Sequence, residues 1–246
     1  MTYAYDANFF AWNNRGVPQS ARAIVAFLMA SLQPHRVLDV GCGQGVWLQA
    51  WQEAGARILG LDGAYVDQER LLVSRDHFRV ADLSEPFRLG EHFDLVQSLE
   101  VAEHLPPSAS VFFVDSLTRH GDVVLFSAAV VGQGGEFHIN ERPLEFWRGL
   151  FREHGYACFD PIRPAVKGKA GIQPWYRYNV LLYANEAGQA RLPVALASTR
   201  VPEGERLREG GDLRWRARRA LLRVLPPRAV NYLARRRAAW IARKAQ

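Results

Sequence analysis

Val37-Leu38-Asp39-Val40-Gly41-Cys42-Gly43-Gln44-Gly45 is the stretch whose reading decides the fold. Val37, Leu38 and Val40 are strand formers in a run too short for helical periodicity. Gly41, Gly43 and Gly45 then remove the Cβ atoms that would block close backbone approach. Val46, Trp47, Leu48 and Trp51 resume at helical spacing. Strand, glycine turn and helix N-terminus make the first β-α unit of an open α/β sheet, at the end where such sheets take ligands.

The spacing decides against a dinucleotide pyrophosphate. That fingerprint needs glycines at the first, third and sixth positions, and counting from Gly41 the sixth position is Val46. Asp39, two residues before the first glycine, would repel a pyrophosphate and suits a cationic ligand, through direct or water-mediated hydrogen bonds to an ammonium group. A cofactor-free strand-turn-helix is the plainer alternative, because glycine turns are common in such folds. The pattern Asp39-x-Gly41-x-Gly43-x-Gly45 resembles motif I of the class I S-adenosylmethionine-dependent methyltransferases. The resemblance implies S-adenosylmethionine, with its sulfonium and α-amino groups, bound at Asp39, Gly41, Cys42 and Gly43.

Three further strand ends carry polar groups. Ile58-Leu59-Gly60-Leu61-Asp62-Gly63 is an apolar run ending in an acid that can accept from a ribose diol, although a turn aspartate is the bland reading. A short third strand over 77–80 leads to Asp82 and Leu83, and a fourth over 93–99 leads to Glu100-Val101-Ala102-Glu103-His104-Leu105. By the resemblance, which covers about residues 19–183, Asp62 with Gly63 holds the ribose, Asp82 and Leu83 lie at the adenine, and backbone near Leu99 meets the methionine end. Helices over 19–32, 111–118 and 143–154 and strands over 121–127, 156–162 and 178–184 complete the alternation. The expected fold is α/β, a doubly wound, seven-stranded, mostly parallel sheet. The resemblance adds an antiparallel last strand.

Around this domain, taken as 19–186, three other segments stand out. Residues 1–18 hold Tyr3, Tyr5, Phe9, Phe10 and Trp12, an arm or a lid. Residues 187–210 read as a linker. Residues 211–246 carry ten Arg and one Lys against one Asp, so residues 1–210 hold a net −4 of the formal +6. Leu213, Ala217, Leu221 and Val224 recur at helical spacing, Pro226-Pro227 breaks the pattern, and Val230, Leu233, Trp240 and Ile241 suggest a second amphipathic helix. Such a basic extension suits an anionic membrane surface, packing on its own domain or a second subunit, or nucleic acid through Arg218, Arg219, Arg235, Arg236 and Arg237. The oligomeric state is left open.

With two cysteines, Cys42 and Cys158, there is neither a disulfide framework nor a zinc spacing. No apolar run reaches membrane-spanning length and the first residues lack a basic-then-apolar signal, so the expected location is the cytoplasm, with a peripheral site on the inner membrane face as the variant.

Methyl transfer from a sulfonium needs an in-line nucleophile and, for a hydroxyl acceptor, a base. His104 after the fourth strand and His138 in the glycine-rich loop 132–141 are the candidate catalytic residues. Glu100, Glu103 and His104 share helical spacing and suit a divalent metal; the string also resembles the same region of the ubiquinone-biosynthesis O-methyltransferases, where such residues are associated with a divalent ion. A polar helix start is the structural alternative. Arg142, Trp147, Arg148, Gln173, Trp175, Tyr176, Arg177, Tyr178 and Asn179 supply aromatic faces and donors that suit a sugar or another polar ring, or else they pack between strands. Arg163, Lys167 and Lys169 are further candidates for an anionic acceptor, or simply face water. The expectation is O-methylation of a small molecule or glycan. An RNA or protein methyltransferase and a non-catalytic binding module are the alternatives.

Overall fold

A computed structural model describes residues 10, 14 and 16–243. Tyr3, Tyr5, Phe9 and Trp12 of the expected arm, and the side chain of Ile241, lie outside the described residues. Strands β1 (Arg36–Val40), β2 (Arg57–Asp62), β3 (Phe78–Val80), β4 (Leu95–Leu99), β5 (Val123–Ser127), β6 (Ala157–Phe159) and β7 (Leu181–Ala184) form one sheet in the order β3-β2-β1-β4-β5-β7-β6. The first five run parallel, and β7 is antiparallel to both β5 and β6. The strand order reverses between β1 and β4, the position where doubly wound sheets open a ligand crevice.

Both faces of the sheet are covered because successive side chains of each strand point opposite ways. Val37 of β1 joins Ile24, Leu28 and Trp51 of helices α1 (Pro18–Ser31) and α2 (Val46–Glu53) in one core. Leu38, the next residue, joins Phe113, Leu117, Trp147 and Phe151 of helices α3 (Ser110–Thr118) and α4 (Leu144–Glu153) in the other. Each such buried side chain contributes roughly 1.5–3 kcal/mol, which makes the sheet a stiff platform for the loops at its C-terminal edge.

The expected strand over 178–184 begins later. Gln173 is extended, Pro174 supplies the preset φ of a first helical residue, and 174–179 form a short helix before β7. The remaining helices are α5 (Ile162–Val166), α6 (Pro174–Asn179), α7 (Glu186–Arg191), α8 (Val194–Ala197), α9 (Leu213–Arg223) and α10 (Pro227–Arg243).

Residues 187–210 do not form an open connection. Leu192, Leu196 and Leu207 are buried, and the buried Arg148 of α4 donates to the carbonyls of Glu205 at 2.6 Å, Pro202 at 2.7 Å and Val201 at 3.2 Å. One guanidinium thus satisfies three main-chain oxygens that would otherwise compete for water.

The basic extension packs with the face opposite to its apolar periodicity. Leu213, Leu221 and Val224 point outward, 81%, 61% and 77% exposed. Arg219 and Arg223 instead donate to the Val131 carbonyl, at 2.8 and 3.2 Å, and Arg218 donates to the carbonyl of Gln133. Arg219 also pairs with Glu209 at 2.5 Å. The loop accepts this approach because it is built of glycine: a Cβ on Gly132 would lie 2.7 Å from the Arg219 carbonyl oxygen, and one on Gly134 would lie 2.7 Å from Leu222. Hydrogen bonding to charged donors outweighs burial of a narrow aliphatic row here. Arg218 and Arg219 are accordingly turned toward their own domain.

Replacing Arg148 by alanine leaves those three carbonyls without their donor. A loss of about 3 kcal/mol in urea unfolding is expected, with faster amide exchange in 201–207. Unchanged stability would show that the segment is held by other means.

Candidate active site

The C-terminal edge of the sheet surrounds a cavity of about 630 Å³. Gly41, Cys42, Gly43, Asp62, Gly63, Asp82, Leu83, Leu99, Glu100, Glu103, His104 and His138 all line it, so most of the sequence-derived site residues meet in one place. Phe10, from the expected arm, lines it as well.

The glycine turn is held from the neighbouring strand. Gly41 and Cys42 donate to the Leu61 carbonyl at 2.7 and 3.2 Å, and the Gly43 amide donates to Asp62 at 2.6 Å. Gly41 has φ 85°, and a Cβ there would lie 2.3 Å from Val101 in the loop beyond β4, so no larger residue fits the turn. Asp62 also accepts from the Gly63 amide at 2.7 Å and from the Tyr65 hydroxyl. Burial raises its carboxyl, opposed by these same bonds. The Cys42 thiol is pushed well above its usual range by burial and by the nearby acids, which makes it unreactive.

Asp39 is set apart from the other strand-end acids. It is 2% exposed, lies behind the turn and is not part of the cavity wall. Gln97 donates to its Oδ1 at 3.0 Å and Trp51 donates to Gln97 at 3.0 Å, while Oδ2 has no hydrogen-bond partner among the described residues. Burial pushes its carboxyl up to about 7, with Asp62 adding to the rise and Gln97 opposing it. A carboxyl so poised ionises when a cation settles nearby. Asp82 is exposed, accepts from the Ser84 amide and hydroxyl at 2.9 and 2.6 Å, and is lowered by those bonds. Leu83 beside it is buried and presents an apolar surface.

Beyond β4 the chemistry changes. The atoms by which Glu103, His104 and His138 could ligate an ion lie within 4.8 Å of one another. His104 is pushed down to about 3, chiefly by burial and then by His138, and therefore stays neutral; its Nδ1 lies 3.3 Å from the Phe137 carbonyl oxygen. The two imidazoles meet edge to face, with centroids 4.9 Å apart. His138 Nδ1 lies 3.0 Å from Glu141, whose carboxylate also accepts from the Gly132 and Gly134 amides at 2.7 and 2.6 Å. Burial tends to raise Glu141, but these bonds prevail and it is lowered. Glu103 is fully buried, and neither carboxylate oxygen receives a hydrogen bond of normal geometry from the described residues. Burial and the neighbouring Glu100 hold its carboxyl well above the usual range.

Glu100 leaves the expected ligand set, and His138 takes its place. Its backbone sits at φ 58°, with its carboxylate receiving Gln133 at 2.5 Å and Asn179 at 3.3 Å. The left-handed residue ends the helical register on which the spacing of Glu100, Glu103 and His104 depended.

The expected acceptor residues mostly serve the scaffold. Among them, Trp175 and Tyr176 line the cavity. Trp147 is 1% exposed in the core, Arg142 donates to Asn140 at 2.9 Å, and Gln173 donates to the Gly16 carbonyl at 3.0 Å. Arg177 donates to the carbonyls of Lys169 and Ile172 at 2.8 and 3.0 Å, and Tyr178 bonds Asp212 at 3.3 Å. Arg163 pairs with Asp160 at 2.7 Å and, like Lys167 and Lys169, is not part of the cavity wall. Tyr65, Arg218 and Arg237 line the cavity without having been assigned to it by sequence, whereas Gln133 belongs to the glycine-rich loop expected to overhang it. Glu141, three residues after His138, lies in the same loop.

Sheet order, glycine turn and strand-end acids define a class I S-adenosylmethionine-dependent methyltransferase. The chain belongs to that class: the family model described as a methyltransferase domain matches residues 14–163, more than half of it. It is similar to the ubiquinone biosynthesis O-methyltransferase of Bordetella avium (strain 197N), 33% identical over 172 residues that cover 60% of this chain and 66% of that one. The chain spans roughly half to two thirds of the length of such relatives. Among solved structures, the sugar N-methyltransferase KedS8 from Streptoalloteichus sp ATCC 53650 is 14% identical, with a TM-score of 0.55 over 75% of this chain and 94% of that one. The magnesium protoporphyrin IX methyltransferase of Synechocystis PCC 6803, with S-adenosylmethionine bound, is 18% identical, with a TM-score of 0.52 over 75% and 100%. At these identities the two structures show a shared fold.

Asp39 sets a pH dependence that calorimetry can read with S-adenosylhomocysteine, whose ammonium favours the ionised acid. Affinity is expected to rise as pH increases toward 7 and to level off above it, with proton release on binding below that pH; Asp39→Asn is expected to remove the release. Binding with no proton release at pH 6 would contradict this role.

Proposed function

We propose that the protein transfers the methyl group of S-adenosylmethionine to a hydroxyl of a polar small molecule or glycan. The observation that carries this reading is the Glu103-His104-His138 group on the same cavity wall as the strand-end acids, on the β4 and β5 side of the glycine turn.

Asp62 takes the ribose diol. A carboxylate offers about four acceptor directions, three of which Gly43, Gly63 and Tyr65 already use, so the diol displaces the Tyr65 hydroxyl. Asp82 and Leu83 take the adenine, and Gly41 and Leu99 flank the methionine end, with the Asp39 charge behind the turn favouring its ammonium. The methyl then faces the cavity beyond β4. Its leaving group is a neutral thioether, so the remaining tasks are alignment and removal of the hydroxyl proton.

His138 is the better placed base. Glu141 orients it through Nδ1 at 3.0 Å, which directs Nε2 to the acceptor and stabilises the imidazolium that forms. Gly135 backs the ring, since a Cβ there would lie 2.1 Å from Nε2. His104 stays neutral beside it and fixes its orientation by edge-to-face contact. The relatives named as ubiquinone biosynthesis O-methyltransferases support an oxygen acceptor.

A divalent cation fits the same group. The buried Glu103 carboxylate with no normal hydrogen bond, beside two imidazoles, has the donor chemistry of such a site. Glu103, His104 and His138 would hold the ion, and it would acidify a bound hydroxyl.

No described helix is long and apolar enough to cross a membrane. The outward row of Leu213, Leu221, Val224 and Leu233, set among the arginines of the extension, supports a peripheral contact with an anionic membrane surface.

The test is transfer of labelled methyl from the donor to a panel of sugars, phenols and lipid extracts. His138→Ala is expected to lower transfer by about 100-fold or more, while leaving S-adenosylhomocysteine affinity within about twofold. Methyl incorporation at nitrogen that survives the substitution would overturn the reading. A chelator is expected to abolish transfer reversibly if the ion is resident, and to leave it intact if His138 acts alone.

A further inference from the structure

Two guanidiniums on the cavity wall lack a carboxylate partner. Among the described residues no carboxylate lies in salt-bridge range of Arg218 or Arg237, whereas Arg219 pairs with Glu209 and Arg235 lies 3.8 Å from Glu136. Arg218 is half-buried, stacked 5.5 Å over Trp215 and tethered to the carbonyls of Gln133 and Gly134. These contacts hold its position without an ion pair, and Glu141 acts on its charge from beyond ion-pair distance. Arg218 and Arg237 line the same cavity; burial lowers Arg218 from its ordinary range and Arg237 adds to the shift, with Glu141 opposing it, so the two positive groups act on each other across that wall. Like charges set together at a cavity wall are relieved by an anion between them.

The acids nearby do not fill that role. Glu141 is taken by two amides and His138, Glu136 is buried beside Arg235, and Glu100 is taken by the side chains of Gln133 and Asn179. Arg218 is bound to the residues immediately before Gly135, against which the His138 ring lies. The pair therefore stands on the acceptor side, next to the proposed base.

We propose that Arg218 and Arg237 form an anion-binding subsite, and that the hydroxyl compound methylated here carries a phosphate group. The proposal rests on the methyltransferase reading above and names its substrate class. Guanidinium forks match phosphate oxygens in pairs, and two of them balance a phosphate monoester dianion. The basic extension thus contributes to substrate recognition by closing the cavity with charge. The phosphate comes either from a soluble phosphorylated compound or from a lipid headgroup, and the chemistry of recognition is the same.

Calorimetry at constant ionic strength tests the subsite with the protein saturated in S-adenosylhomocysteine. The soluble arm compares glycerol 3-phosphate with glycerol, and the lipid arm compares phosphatidylcholine vesicles with and without phosphatidic acid. At least about tenfold preference for the phosphorylated probe is expected in one arm, which names the source, with loss of that preference in Arg237→Gln. Arg237 makes no hydrogen bond to the fold among the described residues, so this variant is expected to retain its thermal midpoint; Arg218→Gln is the second variant, accepted only where its midpoint also holds. No preference in either arm, or a preference that persists in both variants, overturns the subsite. If S-adenosylhomocysteine itself does not bind, the donor reading fails, and the same phosphate titration without it still decides the subsite.

Discussion

The site depends on one carboxylate. Asp62, at the end of β2, receives the Gly43 amide from the turn after β1 and the Gly63 amide from its own loop. It therefore ties two parallel strand ends to a turn whose only packed side chains are those of Cys42 and Gln44. Removing that acid would leave two amides without a partner and free the turn from the sheet. The turn lines the cavity, so the order of the turn and the shape of the cavity rest on the same interaction. Burial raises the carboxyl of Asp62 and the three donors oppose that rise, so the hydrogen bonds that order the turn also favour the charged form.

A parallel arrangement shapes the other half of the cavity. Glu141 gathers the Gly132 and Gly134 amides and His138, while Glu100 gathers Gln133 and Asn179. Both carboxylates turn a glycine-rich loop into a fixed wall, and the arginines of α9 then close over its carbonyls. Glu103 is the exception: it is buried beside these networks without a normal hydrogen bond of its own, with the ring nitrogens of His104 and His138 within 4.8 Å. Buried polar networks are stable when every member is satisfied, and an unsatisfied one marks a place kept for a ligand or a proton.

The glycine turn and the strand-end acids around the cavity were legible in the sequence because their signals are local. Glycine positions, strand ends and the acids that follow them are separated by a few residues each, and period-two apolar runs locate the strands. The wall beyond β4 was less legible because its partners are distant: Gln133 meets Asn179 across 46 residues and Arg218 meets Gln133 across 85. The helical spacing of Glu100, Glu103 and His104 suggested one ligand set, but a left-handed backbone at Glu100 redirected that acid. Apolar periodicity in 213–224 correctly marked a helix and left its docking face open; Arg218, Arg219, Trp215 and Leu222 form that face, and the row of Leu213, Leu221 and Val224 stays outward. Periodicity reports where an apolar row lies. It does not report which row a neighbour will cover.

The most direct test of this arrangement is the structure of the protein with S-adenosylhomocysteine bound. The adenine is expected against Asp82 and Leu83, the ribose on Asp62, and the sulfur turned toward His104 and His138. A molecule bound with its adenine beyond β4, or outside the cavity altogether, would contradict the division of the site into a donor half and an acceptor half.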